Sequence, residues 1–539
     1  MTATQVAAPS WRASGSPRAA AWVHYLSLLL GACALLFLAR NQWFFFDEWD
    51  IIWQPEAAKR FVEGHNGHWS ALPIGVWTFL QNTFGLGSYL PYVGVAIAAH
   101  LVVAHLLWRV LTHAGSTPWI ATALAAVFVF YGAAGENLLW AFQMGFMGAI
   151  AFGLGALLVV VRPTMRTGGL IATIALLTAG AATAGTVLPF FVAVALVAWY
   201  RHGWVKALVA VGVPALVYLF WYTIVAGPNP TAIFRAQGLG QILAGIPEFV
   251  GTMFVGAYNA STPVPGFGIV VVTAIAVWGV VTAARARLTV ATVVALSMLA
   301  AGLVFGVLTG YSRAKLGAGS ADESRYIYIA AVFTLPAIAL ILSRIARRAV
   351  ASTIAVVALI GVVFVYNAGL LVLRAGGDSA RELGTHDVLS AALDLADEHP
   401  GEVDPDARPD PVYLPRTISQ LQELEADFGM RRSDYGEDAR LTALTTVGLN
   451  TSASAGGPAT CEIFLQEGST ISAGPEGIDL EASTGASVTL FAQDGEARGL
   501  SQTVALDPGR TTLTMLEPTE LVVEKTTAPV ALCEEVNTP

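Results

Sequence analysis

Charge is what this chain lacks most. Asp, Glu, Lys and Arg make up only 12% of its 539 residues, where a soluble globular chain carries roughly 25%. The shortage is uneven: apolar runs broken by short polar loops continue to Leu373, and beyond it the composition is that of an ordinary soluble protein. Most acidic residues lie in that last third, so the net charge of −9 belongs mainly to the tail. No basic face is available for nucleic acid. Tandem repeats and heptads are absent. Cysteine is scarce too. Cys33 falls within the first apolar run and reads as a small apolar residue. Cys461 and Cys533 are the only two in the tail, and an oxidising compartment would let them pair as a disulfide.

What the chain has in quantity is hydrophobic length: 55% of residues are apolar. A helix needs about 20 residues to cross a bilayer. Runs near 22–39, 89–111, 118–132, 141–161, 169–184, 186–200, 206–226, 267–284, 288–310, 326–343 and 349–373 predict about eleven crossings, the two around Thr183 being short. The stretch 71–84 is too short to span and is expected as an interfacial or re-entrant helix. Leu30-Gly31-Ala32-Cys33 loosely resembles a lipoprotein cleavage box, but the apolar run continues through Ala34–Leu38, which favours an uncleaved anchor. With the N-terminus, carrying Arg12 and Arg18, placed in the cytoplasm, each expected inner loop is short and basic: Arg109; Arg162 and Arg166; Arg201 and Lys206; Arg285 and Arg287; Arg344, Arg347 and Arg348. An odd number of crossings then puts the tail outside.

The predicted organisation is a cytoplasmic segment 1–20, a transmembrane domain 21–373, an extracytoplasmic helical and linker region 374–457, and a β-sandwich-like domain 458–539. Helical pattern covers Thr385–Glu398 and Ile418–Phe428 on either side of a Pro/Asp-rich link at 400–411. Short β-rich runs follow at Glu462–Gln466, Gly477–Ala482, Ser487–Ala492, Leu500–Leu506, Thr511–Leu516 and Glu520–Lys525. Their spacing, with turn signals such as Asp494-Gly495, predicts a small sandwich whose ends Cys461–Cys533 would tie.

Candidate chemistry sits in the expected outer loops. The first holds Phe46-Asp47-Glu48-Trp49-Asp50, three carboxylates among aromatics directly after a span. An aromatic interface belt with acids facing water would account for the rings, yet a belt has no need of packed acids. A carboxylate partly desolvated against rings gains basicity and suits a general base. His65-Asn66-Gly67-His68 follows, a pair that could hold a divalent cation, although loop histidines more often serve as hydrogen-bonding groups. The second loop, Gly135-Glu136-Asn137-Leu138-Leu139-Trp140-Ala141-Phe142-Gln143, carries the only acid between Glu63 and Glu248. An isolated carboxylate at the end of a span is costly unless solvated or paired, which makes Glu136 a functional candidate, a solvated helix cap being the plain alternative. A later loop carries Arg313, Lys315, Asp322, Glu323, Arg325 and Tyr326. Its cations could grip a phosphate, or one of them could simply pair with Asp322 or Glu323.

These residues resemble the GT-C superfamily of integral membrane glycosyltransferases, in its bacterial polyprenyl-phosphate-sugar-dependent form. Phe46-Asp47-Glu48-Trp49-Asp50, Gly135-Glu136-Asn137-Leu138-Leu139-Trp140 and Ser324-Arg325-Tyr326 carry the likeness. It covers the membrane part, about residues 20–373, as architecture, and names no substrate. It implies a bacterial plasma-membrane enzyme that moves a sugar from a polyprenyl phosphate to an extracytoplasmic glycan or lipid with inversion. Asp47, then Glu48, would act as base, and Glu136 would assist at the centre. Arg325, with Arg313, Lys315 and Tyr326, would hold the donor phosphate. Asp50, Trp49, His65, His68, Asn137, Trp140 and Gln143 would line the acceptor side. The lack of a glycine-rich phosphate loop agrees with donor energy arriving on a lipid rather than on a nucleotide.

The Glu136 loop lacks the second acidic pair of metal-using members, so no metal ligand set is assigned, and there is no peptide-acceptor motif. Two other classes compete. A transporter or flippase of lipid-linked glycans would bury charge at midspan, yet the spans are almost free of it, His100 and His105 being the main exceptions. A non-catalytic cell-envelope scaffold would leave the Asp47 cluster unexplained.

Overall fold

The computed structural model describes residues 17–53, 59, 61–285, 288–410, 412–454 and 459–535. Arg12, Arg287 and most of the expected segment 1–20 lie outside them. The chain divides into two units: one of Met1–Arg40, Gln54–Phe79 and Leu90–Gly377, the other of Asn41–Trp53, Leu80–Tyr89 and Asp378–Pro539.

The first unit is mostly helical in its described residues, the form a chain must take in hydrocarbon, which offers backbone N–H and C=O groups no partner outside the segment itself. Among the described residues, nine helices are long and apolar enough to cross a membrane. Two of the eleven expected spans fall short of that length: Thr167–Ala181 and Phe267–Ala283, of 15 and 17 residues. The expected helix at 71–84 is present as Ala71–Phe84. A helix at Ile246–Asn259 was not anticipated; its 14 residues include Glu248, Asn259 and three glycines or prolines, which dilute the apolar signal.

Ser324–Ala346 forms the centre of this unit, with residues from Ser324 through Pro336 mostly buried. It packs on Val290–Ser312, Ile246–Asn259 and Pro118–Val129. Polar side chains cross-link the apolar packing where they can satisfy one another. His100 Nδ1 lies 3.0 Å from Tyr328 Oη and its Nε2 3.2 Å from the Val129 carbonyl. Ser116 and Ser343 pair at 3.1 Å, and His24 meets His105 at 3.2 Å. The two span histidines thus serve as interior hydrogen-bonding groups. At Gly132 the chain crosses Val350–Glu398 so closely that a Cβ would stand 2.1 Å from the Asn367 carbonyl oxygen, which reserves the position for glycine.

Val350–Glu398 is one continuous helix of 49 residues, about 73 Å long. The expectation of a span ending at 373 and a separate helix from Thr385 is corrected: no glycine or proline stop strong enough to end a helix intervenes, and Gly376-Gly377 and Gly384 are accommodated within it. The unit boundary falls between Gly377 and Asp378.

The second unit contains helices Ile418–Phe428, opened by a Thr417/Gln420 capping box, and Glu437–Val447. Among the described residues ten strands follow: β1 Leu449–Ala453, β2 Ala459–Phe464, β3 Thr470–Ala473, β4 Ile478–Ala482, β5 Ala486–Asp494, β6 Ala497–Arg498, β7 Gln502–Leu506, β8 Gly509–Met515, β9 Thr519–Thr526 and β10 Val530–Glu535. They form two antiparallel sheets, one ordered β1-β8-β4-β10-β2 and one ordered β3-β9-β5-β6 with β7 also on β5. Leu480, Leu513 and Val530 of the first sheet join Val488, Leu490 and Leu521 of the second, and Leu395, Ile418 and Leu444 of the helices, in a single core. Strands β1, β3, β6 and β10 were not anticipated. β1 is polar and exposed along most of its length, and β3 and β6 are very short.

Cys461 and Cys533 form a disulfide. They are direct partners on the neighbouring strands β2 and β10, so the bond staples one sheet's edge strand to its neighbour. Its sequence separation of 72 sets a large loop-closure term, and Cys533→Ser is expected to cost the second unit about 4 kcal/mol. Urea unfolding followed by β-sheet circular dichroism, without reductant, measures this; an unchanged midpoint would show the bond to be dispensable.

Candidate functional site

In the first unit three separate loops gather into one cluster. The loop at His65–His68 is a two-residue hairpin. Asn66 and Gly67 both have positive φ, 49° and 81°, the turn geometry that Asn-Gly adopts most readily. Reciprocal backbone bonds of 2.9 Å join His65 and His68. The hairpin rests on the π-helical turn Trp221–Val225: Trp221 Nε1 donates to the Val62 carbonyl at 2.7 Å, and the Trp69 and Trp221 rings stack at 5.5 Å. His68 Nδ1 accepts the Gly185 N–H at 3.2 Å, which leaves its proton on Nε2. Burial, then the nearby charges of Arg313 and His65, lowers His68 to about 4, so it stays neutral in the physiological range.

The second loop meets the first through aromatic rings. Phe142 lies 6.1 Å from His65 and stacks on Trp140 at 4.9 Å. The short helix Gly135–Leu139 then presents Glu136. Its backbone N–H donates to Ser324 Oγ at 3.2 Å, and its Oε1 accepts from Gln143 Nε2 at 3.1 Å. Asn137 Nδ2 donates to Gln143 Oε1 at 3.2 Å; Asn137 and Gln143 are both fully buried. Asn137 and Gln143 therefore hold Glu136 in place rather than presenting themselves to a ligand.

The third loop supplies the cations. Arg325 lies 3.9 Å from Glu136 and also pairs with Glu323, so the expected charge pairing in this loop takes Arg325. Tyr326 is buried, its ring edge-on to Phe249 and under the Arg325 guanidinium. Among the described residues Arg313 has no carboxylate within ion-pair distance and stands 5.9 Å over the Phe234 ring; Lys315 is exposed. Of the three cations expected to hold phosphate, Arg313 and Lys315 retain unneutralised charge.

Asp47, Glu48, Trp49 and Asp50 belong to the second unit, where residues Asn41–Trp53 fold with the tail. Phe46 has φ of +51°, a conformation a bulky L-residue adopts only at a cost of roughly 1–3 kcal/mol. Its N–H donates to the Tyr413 carbonyl at 3.0 Å. Phe45 stacks on Tyr413 at 5.1 Å and lies under Arg381, and Asp50 is ion-paired with Arg416. Glu48 is fully buried. Its Oε2 accepts the Phe45 N–H and its Oε1 the Tyr89 hydroxyl, each at 2.8 Å. Glu48 and the fully buried Trp49 are thus parts of the loop's framework, and Asp47 is half-buried at its turn.

Glu382 escaped the sequence reading. It lies past the apolar run that ends at Leu373, on the polar end of the long helix, and is 3% exposed. It accepts the Trp43 N–H at 3.1 Å, and one helical turn on, His386 stacks on the Trp43 ring at 3.8 Å. Burial and the Glu48 carboxylate beside it push Glu382 up to about 9. The i,i+4 pairing of Glu382 with His386 on one helix face was the available signal.

For a divalent cation, the donor sets within reach are few. His65 and His68 join no third ligand among the described residues. Glu398, His399 and Glu517 do cluster, but Arg440 already bridges the two carboxylates at 2.9 and 2.6 Å. Cys461 and Cys533, near Glu481, are consumed by their disulfide.

Comparison with protein-family models, curated proteins and solved structures finds no match to the chain.

Glu382 yields a pH prediction. A carboxyl whose folded pKa stands above its unfolded value binds more protons folded than unfolded. Its stabilising effect is complete below the ordinary value of 4.5 and is lost as pH rises through about 9. Unfolding midpoints of the second unit are expected to fall between pH 5 and pH 9, and Glu382→Gln, neutral throughout, is expected to flatten that slope. Parallel slopes for the two proteins would assign the pH dependence elsewhere.

Proposed function

We propose that the protein is a membrane glycosyltransferase that takes a sugar from a polyprenyl phosphate and passes it to a hydroxyl of an extracytoplasmic glycan or lipid. In this reading the two shorter apolar helices also cross the bilayer, making eleven crossings, with the N-terminus in the cytoplasm and the tail outside. The observation that carries the proposal is the backbone before Asp47. A left-handed phenylalanine is kept there by a hydrogen bond, a ring stack and an ion pair from the tail, and strain maintained beside an acid is what a preorganised reactive group requires.

Asp47 accepts the proton of the acceptor hydroxyl as that oxygen attacks the anomeric carbon. The bond from that carbon to the donor phosphate breaks on the opposite face, so the configuration inverts and the phosphate leaves with the electron pair. Arg313 and Lys315 stabilise the charge that develops on it, and Arg325, held between Glu136 and Glu323, contributes through the same loop. His68, neutral and fixed by Gly185, offers its Nε2–H to a sugar hydroxyl. Glu136 has its geometry set by Gln143 and Ser324 and orients the acceptor.

The test is transfer of radiolabelled sugar from a panel of polyprenyl-phosphate donors by membranes containing equal amounts of wild-type protein or Asp47→Asn. Loss of a general base is expected to lower the rate about 10²–10⁴-fold. Arg313→Gln is expected to lower kcat more than it raises the donor KM, as loss of a contact to charge that develops in the transition state requires. Equal transfer by wild type and Asp47→Asn removes Asp47 from the mechanism. No transfer by either protein across the panel moves the assignment to a transporter or a scaffold.

A further inference from the structure

The first unit has an apolar recess at the end of the bundle where Pro118–Val129 begins and Ser324–Ala346 ends. A cleft of about 900 Å³ opens there between Pro118–Val129 and the apolar start of Val350–Glu398. Its walls are Ile120, Val356, Ile360 and Phe364, and small residues keep it open. At Gly361 an added Cβ would meet nothing within 4 Å. The mouth holds Arg347 and Trp119, both exposed.

From Thr353 to Phe364 the cleft follows the helix for about 16 Å, close to the depth of one leaflet of a hydrocarbon core roughly 30 Å thick. Trp119 marks the headgroup level, where indole rings settle. Arg347 is the one cation among the described lining residues, and no Asp or Glu lines the cleft. Arg344 points its guanidinium over the Trp278 ring at 5.8 Å and does not line it. An apolar channel one leaflet deep with a single arginine at headgroup level is complementary to one amphiphile: an acyl chain ending in a phosphate of net negative charge.

We propose that this cleft holds one anionic phospholipid of the surrounding membrane, its phosphodiester on Arg347 and one acyl chain along Ile120, Val356 and Ile360. The lipid fills space that neighbouring helices leave open and ties Pro118–Val129 to Val350–Glu398. The site is independent of the glycosyltransfer reading.

Native mass spectrometry of the full-length protein in mild detergent, titrated with phosphatidylglycerol or phosphatidylcholine, tests it. Wild type is expected to bind one phosphatidylglycerol about fivefold more tightly than phosphatidylcholine, the share one arginine supplies at a membrane surface. Arg347→Gln is expected to abolish that preference while leaving phosphatidylcholine binding unchanged. Gly361→Leu, which fills the cleft without touching charge, is expected to weaken both lipids. Equal binding of the two lipids by wild type, or an unchanged preference in Arg347→Gln, overturns the proposal. Because Arg347 is exposed, its variant decides the matter even if Gly361→Leu fails to fold.

Discussion

Hydrocarbon supplies no hydrogen bonds, and the first unit follows from that one fact. Each span must satisfy its backbone within itself, so it becomes a helix, and a polar side chain inside a span must find another. His100 finds Tyr328 and the Val129 carbonyl, Ser343 finds Ser116 of the neighbouring loop, and Thr334 finds Tyr258 of the adjoining short helix. The same rule concentrates charge at the loops, because there water or another charged group can complete it. Glu136, Arg313, Lys315 and Arg325 occur where the helices stop.

At those margins charge is arranged rather than scattered. Arg325 stands between two carboxylates, and Glu136 is oriented by Gln143, which is in turn held by Asn137. Such a relay costs less than the isolated groups would, since most of its polar atoms replace lost water with a partner, Asn137 Oδ1 and Arg325 Nε being the buried exceptions. It also means that several residues with polar side chains in these loops are supports. In the second unit Glu48 shows the principle most clearly: a buried acid whose two oxygens are used by the Phe45 N–H and the Tyr89 hydroxyl fixes the shape of the segment that presents Asp47.

Nine of the eleven expected spans correspond, among the described residues, to helices long and apolar enough to cross a membrane, and these were legible because a bilayer imposes a length and a composition that no other environment imposes. The pairing of the two tail cysteines was legible from their number and setting. Strands β1 and β10 were not: β1 has almost no buried face, and β10 owes its place between β4 and β2 to partners some 50 to 70 residues away. Among the site residues, the gathering of His65, Phe142 and Glu136 depends on contacts between loops that no local pattern records. The division of labour within Asp47, Glu48 and Asp50 was equally hidden, since it is set by Tyr89, Tyr413 and Arg416, and Glu382 reads in sequence as one more acid on a solvated helix.

The strained turn at Phe46 has a consequence for how the protein is made. Its conformation is secured by Tyr413 and Arg416, and the ion pair from Arg416 reaches back 366 residues to Asp50. Contacts this distant in sequence form late. A growing chain can therefore insert helix after helix while the segment around Asp47 remains shapeless, and it acquires its geometry only after the tail has been synthesised and has begun to fold. Assembly order therefore has a visible product: a half-made chain has its helices but not the set geometry of the segment around Asp47.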